Sequence, residues 1–240
     1  MANKGNEWAR NELGDAALGD KRLTDRLVNI ADSLISLPES SINQACGSWS
    51  EAKAAYRFFQ NENVKGSDIL TSHIAKTVER TKTHKRILVI QDTSCISYMG
   101  HEKIRGLAVV SKKQSKGIMM HTAFAISTEG LTLGILDQKL YSRPSISKED
   151  QELEKRRRCR NVSIEDKESI KWLESLKKTN EIIDSTQTET ITVCDREADI
   201  YDFFELAYRL NSAVLIRACR NRNVNKTSRY SREEKLWQFI

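Results

Sequence analysis

The hydrophobic period switches from helical to strand-like near residue 82, and that change limits the folds open to this chain. Upstream, Leu23, Leu27, Ile30 and Leu34 recur at steps of four, three and four. This is the apolar stripe of a helix running from Asp20 to Leu37, closed by Pro38. Ser48 and Glu51 form a capping-box pattern ahead of Ala52, Ala55, Tyr56 and Phe59. Ser67 and Asp68 open a further helix through Ile69, Leu70, Ile74 and Val78, and a short one spans Trp8 to Leu13. Downstream, Arg86 to Gln91 reads as a buried strand ending just before Asp92. Ile118 to Ser127 and Leu131 to Leu140 are two more strands, joined by a hairpin turn at Thr128 to Gly130. A helix from Ser163 to Leu176, a strand from Glu189 to Cys194, a helix from Glu197 to Leu210 and a strand from Ala213 to Ala218 follow. The order is β-β-β-α-β-α-β. It predicts an α/β fold in which a small all-α domain (1–82) precedes a mixed sheet with helices on its faces (83–240).

Composition narrows the function classes. The 240 residues carry 39 Lys+Arg against 33 Asp+Glu, a net charge of +6, and 39% are hydrophobic, enough for a true core. No run of about 18 apolar residues is present, so no membrane span is expected. The stretch from Met1 to Glu7 is polar and lacks the apolar centre of a signal peptide. The expected location is therefore the cytoplasm. The five cysteines show no Cys-x-x-Cys spacing and the four histidines form no close pair. Reduced thiols follow, and any metal is expected to be a hard ion held by carboxylates. Positive charge is clustered. Ser212 to Ile240 holds seven basic residues and two acidic ones, and further clusters lie at Lys155 to Arg160 and at Lys112, Lys113 and Lys116. Such clusters suit a polyanion, nucleic acid first, although a solvated surface gives the same pattern.

Two strands run into an aspartate, Ile87 to Asp92 and Ile191 to Asp195. On a sheet of this topology the first and fourth strands can be neighbours, so the two carboxylates can converge. A pair of that kind can hold Mg²⁺ or Mn²⁺ and leave positions for water and phosphate oxygens. Asp is also favoured in the turn after a strand, so each residue alone has a purely structural explanation.

Several segments carry a family resemblance. They are Ala16 to Asp20, Arg26 to Asn29, Ala55 to Phe58 with Asn61 to Val64, Asp92 to Ser94 with Ser97 and Tyr98, Lys167 to Ser169 with Lys171 and Trp172, and Val193 to Ile200. In this order they resemble the bacterial DDE transposases of the IS-four family, most closely its Tn-five-type members. The last segment, with Asp195-Arg-Glu-Ala-Asp199 following a strand, is the most specific. The resemblance implies an N-terminal helical domain that binds double-stranded DNA at transposon terminal repeats. It also implies a ribonuclease-H-like domain that cleaves and joins DNA by metal-dependent phosphoryl transfer, in a bacterial, nucleoid-associated setting. It makes Asp92 and Asp195 catalytic metal ligands, Arg22, Arg26 and Arg57 DNA contacts, and Arg217 a basic residue near the DNA backbone. Leu23 stands where the family has a further arginine.

The family's third carboxylate lies in a signature where Arg follows Tyr by three and Glu follows Arg by four. Here the residues three after each tyrosine are Phe59, His101, Pro144, Phe204, Asn211 and Glu233. None is Arg. The expectation is a truncated transposase, its ribonuclease-H-like domain incomplete, that binds DNA, holds Mg²⁺ weakly and is inactive alone. Two alternatives stand beside it. One is a non-catalytic DNA-binding inhibitor that pairs with a full-length transposase. The other is an unrelated ribonuclease-H-like nuclease whose third carboxylate is Glu197 or Asp199.

Overall fold

The structure, a computed structural model, describes residues 4–98, 100, 104–110, 115–143, 163–223 and 235–238. The basic cluster at 155–160, Lys112, Lys113, Glu233 and Glu234 lie outside them. The chain divides into two compact units, Met1–Arg80 and Thr81–Ile240.

The first unit is helical: α1 (Lys4–Leu13), α2 (Lys21–Ser36), α3 (Ile42–Ala45), α4 (Trp49–Phe59) and α5 (Gly66–Thr81). α2 starts where the Asp20 side chain accepts from the Arg22 N–H, satisfying a donor left open by the first turn. Its stripe buries Leu27 and Ile30 against Ala16, Leu18, Ala55 and Phe58, with Leu23 and Leu34 at the margin. Ser48 caps α4 by accepting from the Glu51 N–H at 3.2 Å. The Glu51 carboxylate does not close the expected box; it pairs with Arg26 on α2 at 2.7 Å. The reciprocal capping box is found instead at Ser41 and Gln44, opening α3.

α1 and α5 are joined by a buried charge. The Glu12 carboxylate accepts two hydrogen bonds from Arg80, at 2.8 and 2.9 Å, and meets His73 Nδ1 at 2.6 Å. Ser72 on α5 donates to the Glu12 carbonyl at 3.0 Å. Burial pushes the Glu12 carboxyl up, but Arg80 and His73 outweigh it and leave it below its ordinary range.

The second unit is a mixed sheet of β1 (Arg86–Ser97), β2 (Ala108–Val109), β3 (Lys116–Ser127), β4 (Thr132–Tyr141), β5 (Glu189–Cys194) and β6 (Ala213–Ile216), with α6 (Ile170–Ile182) and α7 (Tyr201–Arg209). β3 pairs antiparallel with β1 on one edge, and with β2 and β4 on the other. β5 pairs parallel with β1, and β6 parallel with β5. Alternate residues of β1 and β3 are buried: Ile87, Val89 and Gln91 on one strand, Met119, His121, Ala123 and Ala125 on the other. This is the period-two burial of a sheet with one covered face. On α6 and α7, Trp172, Leu176, Phe203 and Ala207 form a core with Cys194 and Ala198.

Three further expectations need correction. β1 does not end before Asp92; its antiparallel ladder with β3 continues to Ser97 opposite Gly117. Gly117 is needed there, because a Cβ would lie 2.2 Å from the Ile96 carbonyl oxygen. The helix expected from Ser163 begins at Ile170, after a 3₁₀ turn at Ile164–Asp166, because Lys167 is extended (φ −94°, ψ 147°). The helix expected from Glu197 begins at Tyr201, since Asp195 caps a separate 3₁₀ turn at Arg196–Ala198.

Candidate functional site

The parallel register builds the site. Gln91 on β1, Cys194 on β5 and Ile216 on β6 stand at one level, the last paired residues of their ladders. The next residue along each strand is Asp92, Asp195 and Arg217. With neighbouring strands about 4.8 Å apart, two aspartates and an arginine form a row across the ends of the parallel ladders. Asp92 thus lies one residue past the parallel ladder although it is inside β1. The Arg217 N–H donates to the Cys194 carbonyl at 3.3 Å, fixing the third member beside the second.

All three are exposed. Asp195 Oδ1 accepts from the Glu197 N–H at 2.8 Å. Exposed carboxylate oxygens are the donor type that suits a hard divalent ion. Among the described residues no group of three or more His, Cys, Asp or Glu side chains is arranged to hold a metal ion. Asp199, one of the candidate third ligands, is committed elsewhere. Its carboxylate accepts from the Cys219 N–H at 2.7 Å and the Arg220 N–H at 3.1 Å, and pairs with the Arg222 guanidinium. Glu197 keeps an exposed side chain, with Oε2 3.8 Å from Lys171 Nζ.

Behind the row lies a set of side chains that sequence reasoning passed over. Lys171 on α6 has a side chain only 5% exposed, yet carries an ammonium. It donates to the Tyr141 hydroxyl at 3.2 Å, lies 3.5 Å from Glu168 and sits over the Trp172 ring at 5.7 Å. Arg143 grips Glu168 through hydrogen bonds at 2.9, 3.0 and 3.1 Å. Burial raises the Glu168 carboxyl, but Arg143, Tyr141 and Lys171 bring it below its usual range. Burial and the neighbouring Glu168 push the Tyr141 phenol up. Fully buried His121 lies edge-on to Trp172 with centroids 4.6 Å apart, and its Nδ1 is 2.9 Å from Thr93 Oγ1. Burial, then Lys171, lowers its pKa to about 4, so the imidazole is neutral at pH 7. The signal for Lys171 and Trp172 was present in the family-like segment; nothing in the spacing pointed to His121.

In the helical unit, Arg22 is exposed at the start of α2 and Arg57 is exposed on α4. Arg26, one turn beyond Arg22, is half-buried against Glu51. The structure therefore separates the three arginines into two exposed cations and one already paired.

The α-helical unit followed by a mixed sheet defines an α/β protein of two units. Residues 5–64 match the family model described as transposase DNA-binding. The matched segment runs from α1 through α4 to Val64, and it supports a transposase N-terminus with DNA as its partner. No described helix is long and apolar enough to cross a membrane.

Proposed function

We propose that this chain is a transposase of the cut-and-paste, DDE type, similar to the IS-four family, whose helical unit binds transposon-end DNA and whose sheet unit belongs to the ribonuclease-H-like class. The reading rests on one combination: a transposase DNA-binding match at residues 5–64, followed in the same chain by Asp92 and Asp195 past the last paired residues of two neighbouring parallel strands. Asp92 and Asp195 would hold a divalent ion such as Mg²⁺ or Mn²⁺. When bound, the ion supplies positive charge against the charge that builds on a phosphate during phosphoryl transfer. The chain's own contribution is to fix the spacing of the two carboxylates through the β1–β5 ladder, and to place Arg217 beside them for a backbone phosphate. Lys171 offsets the nearby Glu197 and Glu168.

With Asp199 committed to Arg222, no third carboxylate joins the pair among the described residues. The purified chain is therefore expected to bind DNA without nicking it, which also fits a role as a DNA-binding inhibitor of a complete transposase. The test is a salt-dependent gel shift with a duplex that the chain itself enriches from a random pool, run with and without Mn²⁺. Salt-sensitive binding with no nicking is expected. Failure to bind any duplex overturns the reading. Mn²⁺-dependent nicking abolished by Asp92→Ala would replace it with an active nuclease. Calorimetry with Mn²⁺ is a second readout. Weak binding lost in Asp92→Ala or Asp195→Ala supports the pair, and identical titrations of all three proteins remove it.

A further inference from the structure

Among the described residues, Asp199 is the most completely buried carboxylate of the sheet unit whose role the proposed function leaves open; its side chain is 1% exposed. Its Oδ2 accepts from two consecutive backbone N–H groups, Cys219 at 2.7 Å and Arg220 at 3.1 Å. Its Oδ1 pairs with Arg222 Nη1. The other arm of the same guanidinium, Nη2, donates to the Asp199 carbonyl at 2.6 Å. The plane of Arg222 also lies over the Phe204 ring on α7, 5.1 Å from its centroid. One buried acid and one planar cation thus fasten the segment after β6 to the turn after β5 through three hydrogen bonds and an ion pair.

The charge balance of that segment is uneven in a telling way. It holds Arg217, Arg220 and Arg222 within six residues. Asp199 neutralises only Arg222. Arg217 and Arg220 are exposed, and neither has an ion pair among the described residues. Two like charges close in sequence on a tethered segment repel each other and favour an anion that both can reach. Arg217 is held beside Asp195 through the Cys194 carbonyl, so the anion would lie next to the aspartate row.

We propose that Asp199 and Arg222 form a clamp that holds Arg217 and Arg220 as a two-arginine seat for backbone phosphates of DNA entering beside Asp92 and Asp195. Asp199 is a positioning residue here, and Arg220 a phosphate contact. The inference rests on the DNA-binding reading above but can fail separately from it.

The clamp makes a prediction of unusual sign. Removing a negative charge near a polyanion site ordinarily strengthens binding. Removing Asp199 should weaken it, because the seat loses its shape although the chain gains positive charge. The experiment measures duplex affinity of the full chain against salt concentration, using the self-enriched duplex and fluorescence anisotropy. Arg217→Ala and Arg220→Ala should each lower the slope of log affinity against log salt by about 0.9, the value for one phosphate contact. Asp199→Ala should lower it by between about one and two, with both contacts weakened together. Arg222→Lys covers the case in which Asp199→Ala does not fold. It keeps the charge but lacks the fork that reaches carboxylate and carbonyl at once, and it too should lower the slope. A purely structural role would lower the melting temperature of these variants and leave the slope alone. If wild type binds DNA and all four variants keep its slope, or Asp199→Ala binds more tightly, the clamp is wrong while the DNA-binding reading stands. If wild type binds no duplex, the underlying reading has failed.

Discussion

The two units treat their acidic residues in opposite ways. In the helical unit the carboxylate of Glu12 is buried and surrounded by Arg80 and His73. In the sheet unit Asp92 and Asp195 are exposed past the last paired residues of the parallel ladders; of the buried polar groups nearby, Gln91 and His121 are uncharged at pH 7 and Lys171 is matched by Glu168. A buried charge must be matched in place, so it can only hold the fold together. An exposed carboxylate held at a fixed spacing by a β ladder is free to take a ligand. Asp199 and Asp137 show that the rule concerns burial rather than the unit: both are buried in the sheet unit, and both are paired, with Arg222 and Lys178.

The largest effect that tests this contrast is on Glu12. Glu12→Gln leaves Arg80 and His73 facing each other without the anion between them. Breaking a buried pair costs roughly 3–5 kcal/mol, and about 3 is expected here because the Arg80 side chain, 38% exposed, keeps a route to water. Urea unfolding should show the helical unit melting earlier while near-ultraviolet signals from Trp172 in the sheet unit hold. An equally large loss in the sheet unit would mean that the two do not respond as separate units. By contrast, Asp92→Ala should change stability by less than about 0.5 kcal/mol, as for an exposed position, and Asp195→Ala by about 1 kcal/mol, the cost of losing its cap on the Arg196–Ala198 turn.

How far the sequence carries this contrast depends on the range of the forces involved. The α2 stripe was legible because Leu27 and Ile30 report a local period, and its limits because Asp20 and Pro38 act on adjacent backbone groups. The strands were legible from the apolar runs at Arg86 and Ile118. The true end of β1 was not, because residues 92–97 are held by pairing with β3, 20 to 30 residues further along the chain, rather than by their own apolar content. The Asp92–Asp195 neighbourhood could be anticipated from topology alone. The fate of Asp199 could not, since its partners at 219, 220 and 222 arrive through the turn after β6. The short β2 was hidden for the same reason: Ala108 and Val109 are a strand only because Gly117 and Lys116 lie opposite.

The second prediction uses pH to separate the buried histidine from the buried acid. His121 has a folded pKa of about 4 against an ordinary 6.5. Between those values the unfolded chain binds the extra proton and the folded one does not. Stability therefore falls as pH drops from 6.5 towards 4, by about 2–3 kcal/mol in all. Glu12 and Glu168 are shifted in the same direction, but from a lower starting point, below an ordinary 4.5. Their contributions are present above that pH and are lost only as it falls through their lower folded values. The window from pH 6.5 to 4.5 thus belongs to the histidine. Denaturant titrations across it should show a decline in wild type that flattens in His121→Gln. A decline of the same size in that variant would assign the proton uptake elsewhere.

The smallest effect concerns the exposed side of the helical unit, where the question is which cations are available to DNA. Arg22 and Arg26 lie one turn apart on α2, yet Arg26 is paired with Glu51 at 2.7 Å and its side chain is 34% exposed. Half-exposed pairs of this kind contribute between about 0 and 1 kcal/mol to stability, so breaking it should barely move the unfolding midpoint. Its effect on DNA should be clearer. Arg22→Ala removes a cation with no ion pair among the described residues and should lower the salt slope of duplex binding by about 0.9. Arg26→Ala should lower it less, because a guanidinium already facing a carboxylate displaces fewer counterions from the phosphates. Glu51→Gln reverses the argument: it frees Arg26 without adding a residue that can bind phosphate as an ion, and should steepen the slope and tighten binding. Equal losses from the two arginine variants, with no gain in Glu51→Gln, would mean that Arg26 leaves Glu51 on binding at negligible cost and that the pair does not ration charge to the DNA.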